Sequence, residues 1–382
     1  MKILQICNDF TGSKVHSNLV KTIDALGVEQ IVYCPEREEQ MLGKNQFEGR
    51  HVRFVYSLCI KSWYKYIFHY KAYKIFQDMT KRVNFAEVDF IHAHTLFSDG
   101  VLAYKAHMKY GIRYAVAIRS TDLNLYIRKL RHTYATGRKI LLNAEKIYFI
   151  SVGLKKGFEE SVFVRPILEQ IKHKFVIQPN GIDEYWHHHL SHEERSGYDV
   201  LYVGDFSANK NVVRLAKAIV RLRKHPGFEN VRLIIVGGEV SGGGRVNDGR
   251  TQQMINTHPD AIKALGKIYD KEKLVEVMRS CSLFAMPSIH ETFGLVYIEA
   301  LSQNLPVIYT KGQGIDGLFD NNQIINVKKV GEKVNPFSIE DICNFIKMIL
   351  EHHDQYGNSF VDFGRFKWRR IAERYIMDYK SK

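Results

Sequence analysis

The chain has 382 residues, enough for two domains with separate cores, and its 45% hydrophobic and 25% charged content is that of a globular protein rather than a small module or a disordered chain. No run approaches the ~20 apolar residues of a membrane span. The formal charge of +14 is uneven: residues 51–150 carry 17 Lys and Arg against 6 Asp and Glu, a surplus of +11 that implies an anionic partner for this region.

The first strand, Ile3–Cys7, begins at once without secretory-signal architecture, so a cytoplasmic location is expected. Further strands are expected at Gln30–Cys34, Val52–Val55, Asp89–His92, Tyr114–Ile118, Ile147–Ser151 and Phe175–Gln178. The turn Pro179-Asn180-Gly181-Ile182-Asp183 then marks a boundary. Beyond it come Val200–Val203, Val231–Val236, Ile262–Leu265, Leu283–Met286, Val307–Tyr309 and Ile324–Val327, with Gly242-Gly243-Gly244 as a loop tip. Strands alternating with helical patterns predict an α/β chain of two doubly wound parallel sheets. The expected division is an N-terminal domain at 1–183, a C-terminal domain at 184–364 and a closing helix at 365–382.

Between these elements, Lys61 to Phe76 mixes aromatic residues with regularly spaced lysines. It reads either as an amphipathic helix resting on anionic lipid or as a core-packed helix with a solvated face. Arg128, Lys129, Arg131, Arg138 and Lys139 add to the same basic region. The five cysteines, Cys7, Cys34, Cys59, Cys281 and Cys343, have neither disulfide density nor metal-ligand spacing and are expected to be buried thiols. His187-His188-His189 are consecutive, so their rings diverge, and no metal site is expected.

The most informative run is Met286 to Ala300, where Glu291 and Glu299 straddle a helix start. Unpaired amides near Phe293, Gly294 and Leu295 favour an anion there. A carboxylate on each side of a phosphate-sized site suits a nucleotide sugar. Taken alone, the two glutamates suit helix capping or the acid and base of a glycoside hydrolase equally well. Lys210, opening the helix Val212–Leu222 after a strand and a polar turn, is the best cationic candidate.

Several segments together resemble the GT-B glycosyltransferases, most closely the retaining family 4, often called group 1. They are Leu265-Gly266-Lys267, Ser282 to Ser288, Glu291-Thr292-Phe293-Gly294-Leu295, Glu299-Ala300-Leu301 and Pro306-Val307-Ile308. Pro179 to Asp183 resembles the interdomain signature, and Val203-Gly204 with Lys210 resembles the first loop of the second domain. Ile91-His92-Ala93-His94 and Arg119-Ser120-Thr121-Asp122 fall at the two loops of the first domain, and Phe366 to Ala372 with Tyr375 resembles a closing helix that crosses back. Three positions depart from the pattern: Asp205 replaces a frequent arginine, Arg119 replaces a frequent histidine, and the first glycine loop is reduced to Thr11-Gly12-Ser13.

The resemblance implies two Rossmann-like domains facing a central cleft. It implies hexosyl transfer, with retention, from a UDP- or GDP-linked sugar to a saccharide or lipid-linked acceptor in cell-surface polysaccharide or glycolipid synthesis. No metal, cofactor or nucleic acid is called for. The implied catalytic residues are Glu291, Lys210, His94 and Arg119, and Asp122 lies on the acceptor side. The donor residues are Gly12, Asp205, Lys210, Glu291, Phe293, Gly294, Leu295 and Glu299. Glu291 would hold sugar hydroxyls and Glu299 ribose hydroxyls. A nucleotide-sugar epimerase, or a silent protein that binds only nucleotide sugar or membrane, are the competing readings. The expected location extends to the inner face of the cell membrane.

Overall fold

The computed structural model describes residues 1–239, 247–320 and 328–380. The strand expected at 324–327 and the glycine run 242–244 lie outside the described residues. The chain forms two compact units. Met1–Ile150, Leu154–Gly181 and Arg365–Lys382 make the first, and Ser151–Gly153 with Ile182–Gly364 makes the second.

The first unit holds seven parallel strands: β1 (Lys2–Ile6), β2 (Glu29–Glu36), β3 (Val52–Leu58), β4 (Phe90–Ala93), β5 (Arg113–Ile118), β6 (Lys146–Phe149) and β7 (Phe175–Ile177). Their spatial order is β3-β2-β1-β4-β5-β6-β7. Central strands such as β4 and β5 are almost wholly buried, which is why they read as continuous apolar runs rather than alternating ones. One face is covered by the helix Lys14–Ala25 and by the last helix, Trp368–Lys380. Ile371, Tyr375 and Tyr379 join Ile3, Ile23, Phe90 and Tyr148 in a single core. The Tyr379 ring stacks on Phe90 at 4.4 Å, and Asp378 accepts a bond from the Tyr148 hydroxyl at 2.8 Å. The last helix is thus part of the first unit, although the second unit precedes it in sequence. Gly181 has to be glycine for the same reason, because a Cβ there would lie 2.6 Å from the Trp368 ring.

The second unit holds six parallel strands: β8 (Asp199–Asp205), β9 (Arg232–Gly238), β10 (Ile262–Gly266), β11 (Leu283–Ala285), β12 (Val307–Thr310) and β13 (Gly331–Val334). The order is β10-β9-β8-β11-β12-β13. No strand is expected at β13 from sequence, because Gly-Glu-Lys-Val carries no apolar run, and its place at the edge tolerates that. Each sheet therefore reverses its strand order once, between β1 and β4 and between β8 and β11. In open α/β sheets, ligands bind outside the carboxyl ends of the strands at such a point.

The aromatic segment after β3 is not one helix. Ser62–Tyr66 forms a tight turn, and the helix Phe68–Arg82 starts only at Phe68, burying Phe68, Ala72, Ile75 and Met79. Trp63, Tyr66, Ile67 and Tyr73 are left exposed, with Tyr66 at 76%. No helix among the described residues is long and apolar enough to cross a membrane.

Candidate functional site

At the switch point of the second sheet, the loops after β8 and β11 are laced together by asparagines. Asn209 donates through Nδ2 to the His290 carbonyl (2.8 Å), and its Oδ1 accepts from the His290 N–H (3.0 Å). Asn211 adopts a left-handed conformation (φ 61°), which asparagine tolerates better than most residues. Its Nδ2 donates to the carbonyls of Pro287 and Pro336 at 2.9 and 2.7 Å. This clasp fixes Lys210 between the two asparagines. Lys210 Nζ then donates to Glu291 Oε2 at 2.8 Å, with side-chain exposures of 22% and 13%.

Glu291 is held from three sides. Its N–H donates to Gln313 Oε1 (2.6 Å), its carbonyl accepts from Gly314 N–H (3.0 Å), and its Oε1 accepts from Thr292 N–H (3.2 Å). Gln313 closes the loop by donating to the Ile289 carbonyl at 2.9 Å. The helix Leu295–Ser302 starts four residues after Glu291 and has no side-chain cap and no acidic residue in its first turn. Gly294 precedes it at φ 75°, where a Cβ would stand 2.5 Å from the Tyr297 ring. That ring is buried between Phe284 and Tyr309, its hydroxyl donates to the Met286 carbonyl, and Phe293 is buried nearby in the loop. A cation and an uncapped helix end beside a carboxylate form an arrangement suited to an anion that carries hydroxyl groups.

Glu299 lies on the same helix but in a different setting. The Trp186 indole donates to it, and the Asp183–Lys271 pair (2.6 Å) is its charged neighbour. Burial, reinforced by Asp183, pushes its carboxyl up to about 7. The two glutamates therefore differ in partner: Glu291 has an ammonium and Glu299 an indole. Asp205 ends β8 and accepts from Ser207 N–H at 3.0 Å, so its observed contact shapes the loop that leads to Lys210.

The first-unit candidates cluster at the other switch point. Gly12 lies in the loop after β1, against the Asp9 carboxylate, whose Oδ1 would be 2.4 Å from an added Cβ. His94 follows β4 and is 1% exposed, with Nε2 at 2.9 Å from Gln5 Oε1 and Nδ1 at 3.1 Å from His16 Nδ1. Its ring stacks on His92 at 4.3 Å. Burial and the Arg119 charge hold all three imidazoles neutral, with His92 lowered to about 3. Arg119 Nε donates to the His94 carbonyl at 3.1 Å. Asp122 is fully buried and accepts backbone N–H bonds from Leu96, Phe97 and Arg119 at 3.1, 3.1 and 2.9 Å. Burial lifts its carboxyl to about 6 against the pull of those bonds. Arg119 and Asp122 thus meet through the Arg119 main chain, whereas the guanidinium Nε turns to His94.

The thiols are all free, four of them buried and Cys59 half-buried. His188 faces Glu184 (3.7 Å) and His189 faces the Tyr185 carbonyl (2.8 Å), so these two neighbouring rings do diverge. Asn209, Asn211, Gln313, Trp186 and His16 went unnoticed in the sequence. The pattern Asn-Lys-Asn before a helix was the one local signal for the first two.

Residues 188–358, which contain Lys210, Glu291 and Glu299, match the family "Glycosyl transferases group 1". Over 308 residues the chain is 25% identical to an uncharacterized glycosyltransferase of Methanocaldococcus jannaschii, covering 79% of this chain and 77% of that one. It is 23% identical over 363 residues to a putative teichuronic acid biosynthesis glycosyltransferase of Bacillus subtilis, covering 86% and 85%. Among solved structures, the apo form of the lipopolysaccharide outer core galactosyltransferase WaaB superposes with a TM-score of 0.68 at 17% identity, covering 99% of both chains, which is a likeness of fold. Residues 188–358 thus carry a match to the glycosyl transferases group 1 model, and the chain has the GT-B fold.

Proposed function

We propose that the chain moves a hexose, with retention, from a nucleoside-diphosphate sugar to a saccharide or lipid-linked saccharide in the synthesis of a cell-surface polymer or glycolipid. The observation that carries this reading is the Lys210–Glu291 pair beside the uncapped start of the Leu295–Ser302 helix. A diphosphate placed there competes with Glu291 for the Lys210 ammonium and takes the amides around Gly294 and Leu295. Charge that develops on the leaving diphosphate is then met by groups already in place, so no side chain has to reorganise at the moment of bond cleavage. The Glu291 carboxylate, released from the ammonium, accepts hydroxyls of the sugar. Glu299, about 7.5 Å further along the helix from Gly294 at ~1.5 Å per residue, accepts those of the ribose. No metal or cofactor has an assigned part in this scheme. Within the first unit Arg119 is the charged candidate, and His94 and Asp122 hold the loop that carries it.

The putative teichuronic acid relative, aligned over most of both chains, supports an anionic polymer as the product class. Exposed Trp63, Tyr66, Ile67 and Tyr73 within a basic region suit a lipid headgroup layer, which supports a peripheral position at the inner membrane face as part of this reading. The test has two stages: thermal stabilisation by a panel of uridine and guanosine diphosphate sugars, then nucleoside diphosphate release with and without saccharide acceptors. Acceptor-dependent release, with the product anomer matching the donor by NMR, is expected. Stabilisation by no donor, or hydrolysis of a simple glycoside without nucleotide, refutes the reading. Cosedimentation with phosphatidylglycerol vesicles, lost when Trp63 and Tyr66 become serine, tests the membrane surface.

A further inference from the structure

Three side chains at the switch point of the first sheet form a buried cluster of their own. Cys7 follows β1, His94 follows β4, and His16 lies in the first turn of the helix Lys14–Ala25. One sulfur and two ring nitrogens from these residues all lie within 4.8 Å of one another. The three are 0%, 6% and 1% exposed for Cys7, His16 and His94 respectively.

A run of hydrogen bonds orients the second imidazole. Gln30 Nε2 donates to the Val20 carbonyl (2.9 Å), so Gln30 Oε1 accepts from Gln5 Nε2 (3.1 Å). Gln5 Oε1 is then the acceptor that faces His94 Nε2 at 2.9 Å, which puts the His94 proton on Nε2 and a lone pair on Nδ1. That lone pair points at His16 Nδ1, 3.1 Å away. An imidazole tethered through one nitrogen to a side-chain oxygen, with the other nitrogen aimed into a cluster of donors, is the outer-shell arrangement of a metal ligand.

We propose that Cys7, His16 and His94 bind one thiophilic divalent cation of the zinc class, with the fourth position left to water. Metal–nitrogen distances of about 2.0–2.1 Å and a metal–sulfur distance of about 2.3 Å give tetrahedral edges of roughly 3.3 Å between nitrogens and 3.5 Å from nitrogen to sulfur. The 3.1 Å nitrogen pair meets this within a few tenths of an ångström. The widest pair, at most 4.8 Å, closes by a side-chain shift of a little over 1 Å (roughly, against those edges). On binding, the Cys7 thiol proton passes to solvent and the His16 proton moves from Nδ1 to Nε2, so one proton leaves per ion. Burial, which pushes the Cys7 thiol up, and the Arg119 cation oppose the ion, while the Asp9 carboxylate that faces Cys7 favours it; Asp99, lifted by burial to about 8, adds little charge. The ion ties the ends of β1 and β4 to the first helix, in a unit separate from the one that holds the diphosphate site.

The experiment uses the full chain, stripped with a chelator, and Zn²⁺ or Co²⁺ as probe. One equivalent of Zn²⁺ is expected to be retained through dialysis, and the Co²⁺ form is expected to show a thiolate charge-transfer band and tetrahedral visible bands. Cys7→Ser abolishes the charge-transfer band, and His16→Gln abolishes tight binding. Gln5→Leu keeps all three ligands and is expected to weaken binding roughly 10–100-fold, as outer-shell losses do. Circular dichroism confirms that each variant folds. The spectrum of the unsubstituted protein is decisive even where a variant fails. Sub-stoichiometric retention, a cobalt spectrum without the thiolate band, or binding unchanged in Cys7→Ser and His16→Gln and therefore located elsewhere, as at the exposed His188 and His189, overturns the proposal.

Discussion

Replacing Lys210 with methionine keeps the length and apolar stem of the side chain and removes one charge. Two effects follow, and they are separable. In the free protein Glu291 loses its 2.8 Å partner while only 13% exposed. Exposed pairs are worth about 0.2–1 kcal/mol, whereas an orphaned buried charge costs about 3–5 kcal/mol, so a pair at this depth falls at roughly 1–2 kcal/mol. In the transition state the leaving diphosphate loses a preorganised cation, and loss of one such donor lowers turnover by about 10²–10³-fold, or roughly 2.7–4 kcal/mol. The double variant with Glu291→Gln recovers most of the stability, because no orphan charge remains, but none of the turnover. Denaturant unfolding reads the first effect and initial rates of nucleoside diphosphate release, at saturating donor and acceptor, the second. If Lys210→Met leaves turnover within threefold of the unsubstituted chain, Lys210 is a structural partner of Glu291 and the assignment fails.

Glu299 provides a pH signature. Its carboxyl sits at about 7 in the native state, above its ordinary value of 4.5, so the native protein keeps a proton that the unfolded chain releases. Stability is accordingly lost as pH rises from about 4.5 to 7, and donor affinity grows over the upper part of that range as the ionised form becomes available to ribose hydroxyls. Glu299→Gln flattens both dependences, which urea unfolding and donor titrations at several pH values detect. Gly294→Ala forces a φ of 75° on a residue with a Cβ and pushes it against Tyr297, so a loss of about 1–3 kcal/mol is expected in chemical denaturation, with weaker donor binding. Asp122→Ala leaves the N–H groups of Leu96, Phe97 and Arg119 without their acceptor. A loss of about 3 kcal/mol is expected, since a buried unpaired group costs about 1–3 kcal/mol and three do not add fully. A loss below 1 kcal/mol would show that water replaces the carboxylate.

Strand positions were legible in the sequence because a parallel sheet buried on both faces demands apolar runs, and twelve such runs fall on β1 to β12 with ends shifted by a few residues. The edge strand β13 was not legible, because its Glu332 and Lys333 carry no such demand. The aromatic segment was misjudged at its start. Ring and lysine spacing from Lys61 onward matches a helix, yet the observed helix begins at Phe68, and the exposed rings Trp63 and Tyr66 belong to the preceding turn. Spacing records a period and does not say where the first buried residue must stand.

The two switch points share a topology and differ in what can be read from a linear chain. At the second, Glu291, Phe293, Gly294 and Glu299 come from one strand-loop-helix passage, and Lys210 from another of the same kind. Their meaning lies in local order, and a motif reveals it. At the first, Cys7, His16 and His94 are brought together from β1, a helix and β4, and the tautomer of His94 depends on Gln5 and Gln30 from two strands. No spacing rule links five residues spread over ninety positions. Burial then separates the two sites chemically. Lys210 and Glu291 form a partly exposed pair that a ligand can reach, whereas the imidazoles are sealed and neutral. The same scaffold therefore offers a reachable ion pair at one sheet and a sealed cluster of imidazoles and a thiol at the other, which is why different ligands, a diphosphate and a soft cation, are proposed for the two.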